Sequence, residues 1–134
     1  MLRLPRRAYE EMVGTAYGGF PLEACGLFGG DPVSGVVDTF YPCTNADRSA
    51  KFYTVEPKDH LRADRDAEDR GFELIGVMHS HTHTDAFPSP TDVRQAPDPT
   101  WHYVIVSLKY DAPVLRSYRI VDGGIAEEAV ALFD

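Results

Sequence analysis

The 134-residue chain has few cysteines, few basic residues and no long apolar run, and each shortage excludes a class of protein. Its two cysteines, Cys25 and Cys43, are too few for a disulfide scaffold, so we expect a reducing, cytoplasmic setting. With 13 Lys and Arg against 21 Asp and Glu, the net charge of −8 argues against nucleic acid or an anionic membrane as a partner. No stretch approaches the roughly 18 apolar residues of a membrane span, and the N-terminus lacks a signal-peptide core.

The remaining composition is that of an ordinary globular protein, with 43% hydrophobic and 25% charged residues. A chain of this size buries roughly two-thirds of its unfolded surface, so we expect one domain over residues 1–134. The predicted elements run in the order strand, helix, two-stranded hairpin, short strand, helix, strand, loop and three further strands. This order predicts an α/β fold with a mixed β-sheet flanked by helices.

The positions of Pro and Gly residues and the spacing of apolar residues predict where several helices and strands begin and end. Pro5 opens a first helix that Gly18-Gly19 ends, and a hairpin covers residues 24–41. A second helix starts at Glu56-Pro57, with three residues available for its buried side: Leu61, Ala63 and Ala67. The later strands are predicted at residues 101–108, 113–121 and 125–130, after a short strand at 52–55.

A segment in the middle of the chain concentrates polar residues that suit a metal site, and residues 76–92 read G-V-M-H-S-H-T-H-T-D-A-F-P-S-P-T-D. The apolar run before it predicts a buried strand that continues through His81. Side chains alternate along a strand, so His79 and His81 share a face with backbone positions roughly 6–7 Å apart. Ser80 points away. Two imidazoles at that spacing can converge on one ion.

Asp92 returns after a loop to offer an anionic oxygen to the same ion. Two histidines and a carboxylate leave a fourth tetrahedral position open for water, which is the catalytic pattern for zinc. The same stretch is also a good helix start, with Ser89 as N-cap, Pro90 at the first helical position and Asp92 as the acid of a capping box. The capping and ligand roles are compatible.

Other readings of these residues stay open. His83 continues the alternation, so His79, His81 and His83 form an alternative three-histidine site that only binds metal. Cys25 lies in an apolar run, so we interpret it as a small buried hydrophobic residue and not as a catalytic thiol. His102 alternates with core positions and is interpreted as structural.

The motif H79-S-H81-x7-S89-x2-D92 resembles the signature of the JAMM (MPN+) metalloproteases, and the resemblance covers nearly the whole chain. The segment P21-L-E-A-C-G-L-F-G-G30 resembles the part of that family that supplies an upstream acid, here Glu23. Thr82 stands where many members have proline. The resemblance implies a cytidine-deaminase-like fold and one Zn²⁺ per chain, with metal ligands His79, His81 and Asp92. It further implies that Glu23 and Ser89 are catalytic, as general base and as hydrogen-bond donor to an oxyanion.

The resemblance also implies a reaction. The family cleaves amide or isopeptide bonds at the C-terminus of ubiquitin-like proteins. Within the family, two segments are most similar to bacterial members that release an amino acid, cysteine, from a sulfur-carrier protein ending in Gly-Gly. These segments are H-S-H-T-x-T-x-A-x-P-S-x-T-D at residues 79–92 and R116-S-Y-R-I-V-D-G123. The alternatives are an isopeptidase or processor of another carrier and a non-catalytic MPN scaffold. A homodimer is left open.

Overall fold

The computed structural model describes residues 1–134 as three helices and eight strands. In chain order they are β1 (Leu2–Pro5), α1 (Arg6–Gly19), β2 (Cys25–Gly30), β3 (Val37–Cys43), α2 (Pro57–Arg70), β4 (Glu73–His81), α3 (Pro90–Arg94), β5 (His102–Ser107), β6 (Val114–Val121), β7 (Gly124–Glu128) and β8 (Val130–Phe133). No helix is both long enough and apolar enough to cross a membrane.

Six strands form one mixed sheet in the order β3-β2-β4-β5-β6-β7. Only the central β4–β5 pair is parallel; the other neighbours are antiparallel. β1 and β8 form a separate parallel pair. Two buried clusters lie on the sheet, one including residues of α1 and the other including Ala63 of α2. The predicted α/β fold, a mixed sheet flanked by helices, is confirmed.

The two long helices pack through small side chains. Ala8, Met12 and Ala16 recur every four residues along α1 and are buried, which places one stripe of that helix against the sheet. Ala63 and Ala67 do the same for α2. Gly71 ends α2 in the left-handed conformation, at φ 83°, where its N–H bonds the last carbonyls of the helix.

Five details differ from the sequence prediction. Pro5 is the last residue of β1 and the N-cap of α1, so the helix begins at Arg6 rather than at Pro5. Val33 is 94% exposed in a turn, so the third strand begins at Val37. Leu61 is 50% exposed rather than buried. Residues 52–55 form no strand and contribute only one bridge, between Asn45 and Val55. β8 was not predicted, because its partner β1 lies at the opposite end of the chain.

The register of the sheet brings distant segments together at one edge. Cys25, at the start of β2, pairs with His79 near the end of β4, and His81 pairs with Ser107 at the end of β5. The segment after β4 is fixed there, since Ser107 Oγ donates to the Thr84 carbonyl at 2.5 Å. The end of β4 and the beginning of β2 therefore meet at the same place.

A buried hydrogen-bonded pair lies elsewhere, between His102 on β5 and Glu128 on β7. His102 Nδ1 lies 2.8 Å from a Glu128 carboxylate oxygen, and both side chains are less than 10% exposed, at 4% and 8%. Burial alone raises the pKa of Glu128, but the hydrogen bond and charge of His102 outweigh it and bring the pKa below its ordinary value of 4.5. This contact agrees with the structural role predicted for His102.

We expect Glu128→Gln to lower the free energy of unfolding by roughly 1–3 kcal/mol at pH 7, because it weakens a buried charge-assisted hydrogen bond. A carboxyl whose pKa is depressed by folding stabilises the protein above its unfolded pKa. The difference from wild type should therefore shrink as the pH falls below about 4. Urea unfolding at several pH values measures this. Glu127→Gln, which disrupts an exposed pair with Arg116, is the matched control and should change stability little. A difference independent of pH contradicts the account.

Candidate metal centre

Three ligand atoms converge where β4 ends. His79 Nε2 lies 3.2 Å from His81 Nε2 and 3.1 Å from Asp92 Oδ2, and His81 Nε2 lies 3.0 Å from the same oxygen. The two histidines share a face of β4, as the alternation predicted, and Asp92 comes from α3. All three side chains are less than 10% exposed, at 3%, 5% and 8%.

The capping box that the sequence predicted orients the side chain of Asp92. The Ser89 side chain accepts the Asp92 N–H at 3.0 Å, and Asp92 Oδ2 accepts the Ser89 N–H at 2.9 Å. Pro90 occupies the first turn, where a missing N–H is harmless. The oxygen that caps α3 is also the one that faces both imidazoles, so the same contact that starts the helix positions a ligand.

The hydrogen bonding at this centre favours a cation. His81 Nδ1 lies 2.7 Å from the Asp85 carbonyl, which can only accept, so Nδ1 carries a proton. Burial alone lowers the pKa of His81, but its hydrogen bonds to Asp92 and to the Asp85 carbonyl outweigh burial and raise the pKa. Burial lowers the pKa of His79, which favours its neutral, ligand-competent form. Burial alone raises the pKa of Asp92, but hydrogen bonds from His79 and His81 outweigh it and lower the pKa. Positive charge is therefore favoured among the three atoms.

The geometry also fits a zinc ion. Two donors that bind one tetrahedral zinc at about 2.0–2.1 Å lie roughly 3.3 Å apart. The three observed separations, 3.0–3.2 Å, are close to that value. Nitrogen and carboxylate donors are the types that zinc prefers, and two histidines with one acid leave a position free. The donor set and its spacing both suit Zn²⁺.

Tyr53 supports the ring of His79. The two rings stack with centroids 4.3 Å apart and an interplanar angle of 16°. His79 Nδ1 is buried without a hydrogen-bond partner, so stacking and the β4 backbone, rather than a second hydrogen bond, orient this imidazole. Burial raises the pKa of the Tyr53 hydroxyl, which keeps it protonated beside the centre.

Glu23 is a buried acid beside the same centre. Its residue is 6% exposed, and Oε1 has no hydrogen-bond partner. Burial raises the pKa of the Glu23 carboxyl to about 7; the charge of His81 opposes this shift and Asp92 adds to it. Glu23, His81 and Ser89 line one cavity. A carboxyl that titrates near neutral pH is suited to accept and return a proton.

The backbone around Glu23 is fixed from two sides. Ser80, between the two histidines, points away from them and its Oγ accepts the Ala24 N–H at 2.8 Å. The Glu23 N–H donates to the Ser49 carbonyl at 2.9 Å, and the Glu23 carbonyl accepts from Asn45 Nδ2 at 3.0 Å. The strand that carries the histidines and the loop 44–56 therefore both hold the acid.

Asn45 is the centre of that loop and uses all of its hydrogen-bonding capacity. Besides Glu23, its Nδ2 donates to the Phe52 carbonyl at 2.9 Å. Its Oδ1 accepts from the backbone of Asp47 at 3.0 Å and of Thr54 at 3.1 Å. The residue is 8% exposed. One buried amide thus links the Glu23 segment to the stretch that carries Tyr53.

We expect Asn45→Ala to lower the free energy of unfolding by about 1–3 kcal/mol, because four backbone groups lose a hydrogen-bond partner, one in a buried contact and three in part-buried contacts. The hydrolytic activity that the family resemblance implies should fall as well, since Asn45 no longer fixes the backbone of Glu23 and the stretch that carries Tyr53. Asn45→Asp keeps the two acceptor contacts and loses the two donor contacts, so it separates the halves of the network. Thermal unfolding and kcat, measured on both variants, test this. Wild-type stability and kcat in Asn45→Ala contradict it.

Two cavities flank the centre. The first, of about 310 Å³, contains Glu23, Lys51, His81 and Ser89 in its lining. The second, of about 340 Å³, is mainly apolar and lies beyond Tyr53; its lining includes Leu27, Tyr53, Val55, His60, Val77 and Trp101. Room for a substrate therefore exists at His81, one corner of the ligand triangle formed by His79, His81 and Asp92, and also at Tyr53, which stacks on His79.

Other candidate residues lie outside the triangle. His83 is exposed, and its ring lies 5.9 Å from Phe20 while Nδ1 is 2.9 Å from Thr82 Oγ1. His79, His81 and Asp92 are the only group of three or more His, Cys, Asp or Glu residues whose ligand atoms all lie within 4.8 Å of one another. Cys25 is buried, and burial raises its pKa to about 12. That thiol is unsuited to nucleophilic attack at neutral pH, in agreement with its interpretation as a packing residue.

Three residues that shape the centre were not predicted from the sequence: Tyr53, Asn45 and Asp85. Tyr53 and Asn45 act through a loop whose folding depends on distant hydrogen bonds, and neither belongs to a spaced motif. Asp85 acts through its backbone carbonyl on His81, a contact that side-chain identity does not signal. The only local sign of the turn at Asn45 is the Asn-Ala-Asp sequence of residues 45–47, because Asn and Asp favour turns.

Comparisons with known proteins identify relatives over most of the chain. Residues 5–121 match the family described as prokaryotic homologs of the JAB domain. The CysO-cysteine peptidase of Mycobacterium tuberculosis is 43% identical over 120 residues, covering 89% of this chain and 82% of its own. A probable TtuB-protein conjugate cleaving protease of Thermus thermophilus is 31% identical, covering 92% and 78%. The desampylase of Haloferax volcanii is 31% identical, covering 69% and 67%.

Solved structures agree with this assignment. A solution structure of a Desulfitobacterium hafniense protein has a TM-score of 0.92 and 36% identity, covering 100% of this chain and 94% of its own. A JAB1/MPN domain protein of Archaeoglobus fulgidus shares the fold, with a TM-score of 0.65, 17% identity and coverage of 100% and 98%. The resemblance to JAMM enzymes, with CysO-cysteine peptidase among the relatives, is confirmed. The chain therefore belongs to the prokaryotic homologs of the JAB domain, and it is a peptidase of the JAMM (MPN+) metalloprotease type.

Proposed function

We propose that the chain is a zinc-dependent peptidase that hydrolyses the amide bond between the C-terminal glycine of a ubiquitin-like sulfur carrier and one attached amino acid, cysteine. The observation that carries the proposal is the convergence of three ligand atoms beside a buried carboxyl, Glu23, whose pKa is near 7. A metal centre with an adjacent proton acceptor is the minimum apparatus for metal-assisted amide hydrolysis.

One ion would be held by His79, His81 and Asp92. When bound, Zn²⁺ supplies Lewis acidity that activates water and polarises a scissile carbonyl. The carboxylate of Asp92 contributes negative charge to the site, and the two imidazoles bind in their neutral form. Tyr53 keeps water away from one side of His79 by stacking on its ring.

Glu23 acts as general base and then as general acid. Its carboxylate accepts a proton from the attacking water and returns it to the nitrogen of the leaving amine. A pKa raised to about 7 by burial serves both steps, because the group accepts and releases a proton near neutral pH. Its unpartnered Oε1 leaves an oxygen free for this exchange.

Ser89 donates a hydrogen bond to the oxyanion of the tetrahedral intermediate. Its Oγ already accepts the Asp92 N–H, so the lone pair is used in capping while the hydroxyl proton stays available. Donors aimed at developing charge in such a site contribute several kcal/mol, from about 10²- to 10³-fold in kcat. Ser89 also lines the Glu23 cavity, which is the position required.

The substrate assignment is supported by the relatives and by the second cavity. The names of the relatives include CysO-cysteine and TtuB-protein conjugates as the substrates of those enzymes. The apolar cavity beyond Tyr53 offers a surface for an extended tail that ends in two glycines, which pass a narrow site where larger side chains do not fit. A reducing compartment suits the two unpaired cysteines, so cytoplasmic cysteine synthesis is the proposed setting.

An isopeptidase is the alternative function, favoured by the Thermus relative, whose name refers to protein conjugates. A non-catalytic scaffold is not retained, because the chain belongs to a peptidase family and keeps a buried base beside the ligand cluster.

Two substrates distinguish the remaining functions. Zinc-loaded protein is incubated with the CysO–cysteine adduct and, separately, with a carrier joined to a lysine side chain of a protein. We expect release of cysteine from the first at least about tenfold faster than release of protein from the second, a preference of 1.4 kcal/mol or more. Cleavage of the lysine conjugate alone overturns the assignment in favour of an isopeptidase.

A further inference from the structure

We propose that the cavity beside Glu23 is a binding site for the free α-carboxylate of the leaving amino acid, and that the Lys51 ammonium binds it. The inference rests on the proposed function and names the substrate feature that this site selects. It makes the enzyme specific for a single terminal amino acid rather than for any amine attached to a carrier.

The position of Glu23 determines which flank receives the leaving group. A general acid must be within hydrogen-bond reach of the nitrogen that it protonates. Glu23 lines the cavity of about 310 Å³ and is absent from the lining of the apolar cavity, to which Tyr53 belongs. The leaving amine and whatever is attached to it therefore enter the Glu23 cavity, and the carrier tail occupies the other side.

The Glu23 cavity has the chemistry for a small anion-bearing group. Its lining includes one lysine, Lys51, and two histidines, together with three hydroxyl residues. The histidines are His81 and His83, and the hydroxyl residues are Thr82, Thr84 and Ser89. Glu23 is the only acid among its lining residues, although the chain as a whole carries a net charge of −8. At about 310 Å³, the cavity is at the small end of ligand sites, which suits one amino acid.

Lys51 is available and is tied to the catalytic segment. Its ammonium forms no ion pair with any acid of the chain, unlike the basic side chains of Arg62, Arg70 and Arg116. The Lys51 N–H donates to Ser49 Oγ at 3.0 Å, and the Ser49 carbonyl accepts the Glu23 N–H at 2.9 Å. Ser49 therefore fixes the backbone of Lys51 relative to the base that serves the same leaving group.

A matched pair of substrates tests this directly. The probes are the CysO–cysteine adduct and the same adduct with its terminal carboxylate converted to an amide. Loss of one charge-assisted hydrogen bond costs about 10- to 100-fold. We expect wild type to show kcat/KM lower by that factor for the amide, and Lys51→Met to show the same loss for the acid. The variant should lose almost nothing more on the amide. Lys58→Met removes an exposed lysine of α2 outside the cavity and should behave as wild type.

Equal kcat/KM of wild type for the acid and the amide overturns the inference. An equal loss of kcat/KM on both substrates in Lys51→Met also overturns it, because such a loss indicates a structural effect. Binding to zinc-loaded Glu23→Gln, measured by calorimetry, separates recognition from chemistry. If wild type cleaves neither adduct but Glu23→Gln binds the acid at least about tenfold more tightly than the amide, the proposed reaction fails while the carboxylate site stands. No cleavage and no binding preference reject both.

Discussion

Glu23→Gln is expected to reduce kcat for the adduct by about 10²- to 10⁴-fold, the range of general acid–base catalysis, while zinc stays bound. The substitution preserves size and removes only the ability to accept and return a proton. Because Oε1 has no hydrogen-bond partner in the structure, the amide breaks no existing contact. Steady-state kinetics and metal analysis of the same preparation measure both halves of the prediction.

Glu11→Gln is the control for this experiment, since Glu11 is an exposed acid on α1 remote from the site. It should have wild-type kcat. Full activity in Glu23→Gln contradicts the assignment of Glu23 as the general base. Loss of zinc together with activity shows instead that Glu23 holds the site together, and the kinetic effect then says nothing about proton transfer.

Asp92→Ala is expected to weaken zinc binding by more than about 100-fold, because removing a ligand exceeds the 10- to 100-fold cost of removing an outer-shell partner. It also removes half of the capping box, which costs α3 about 0.5–2 kcal/mol. Asp92→Asn separates these effects, because its side-chain oxygen can still accept the Ser89 N–H while the negative charge is lost. His83→Ala should retain zinc, because the exposed His83 lies outside the ligand triangle.

The three-histidine alternative makes the opposite prediction. If His79, His81 and His83 hold the metal, His83→Ala loses zinc and Asp92→Ala retains it. Calorimetric titration of each metal-free variant with zinc distinguishes the two ligand sets. A stoichiometry of one ion in His83→Ala and a sharply reduced affinity in Asp92→Ala support the arrangement described here.

The ligand triangle was largely predictable because local rules specify it. Alternation along β4 places His79 and His81 on one face, and a capping box explains how Asp92 points back toward them. Both rules act over a few residues. The role proposed for Glu23 came from a family resemblance, since no local pattern links an acid before β2 to histidines on β4.

The remaining parts of the site depend on contacts between distant segments. Tyr53 reaches His79 only because Asn45 folds the loop 44–56 around two backbone carbonyls and two N–H groups. Lys51 joins the same cavity through Ser49. β8 was missed for the same reason, since it pairs with β1 from the other end of the chain. Hydrophobic periodicity carries no information about such pairings.

The dependence of hydrolysis on bound zinc tests the central claim most directly. Metal-free protein is titrated with Zn²⁺ while release of cysteine from the CysO–cysteine adduct is followed by mass spectrometry. We predict that the rate rises in proportion to zinc, stops rising at one ion per chain, and falls to background when a chelator removes the metal. Undiminished hydrolysis by metal-free protein, or no hydrolysis at one zinc per chain, contradicts the account.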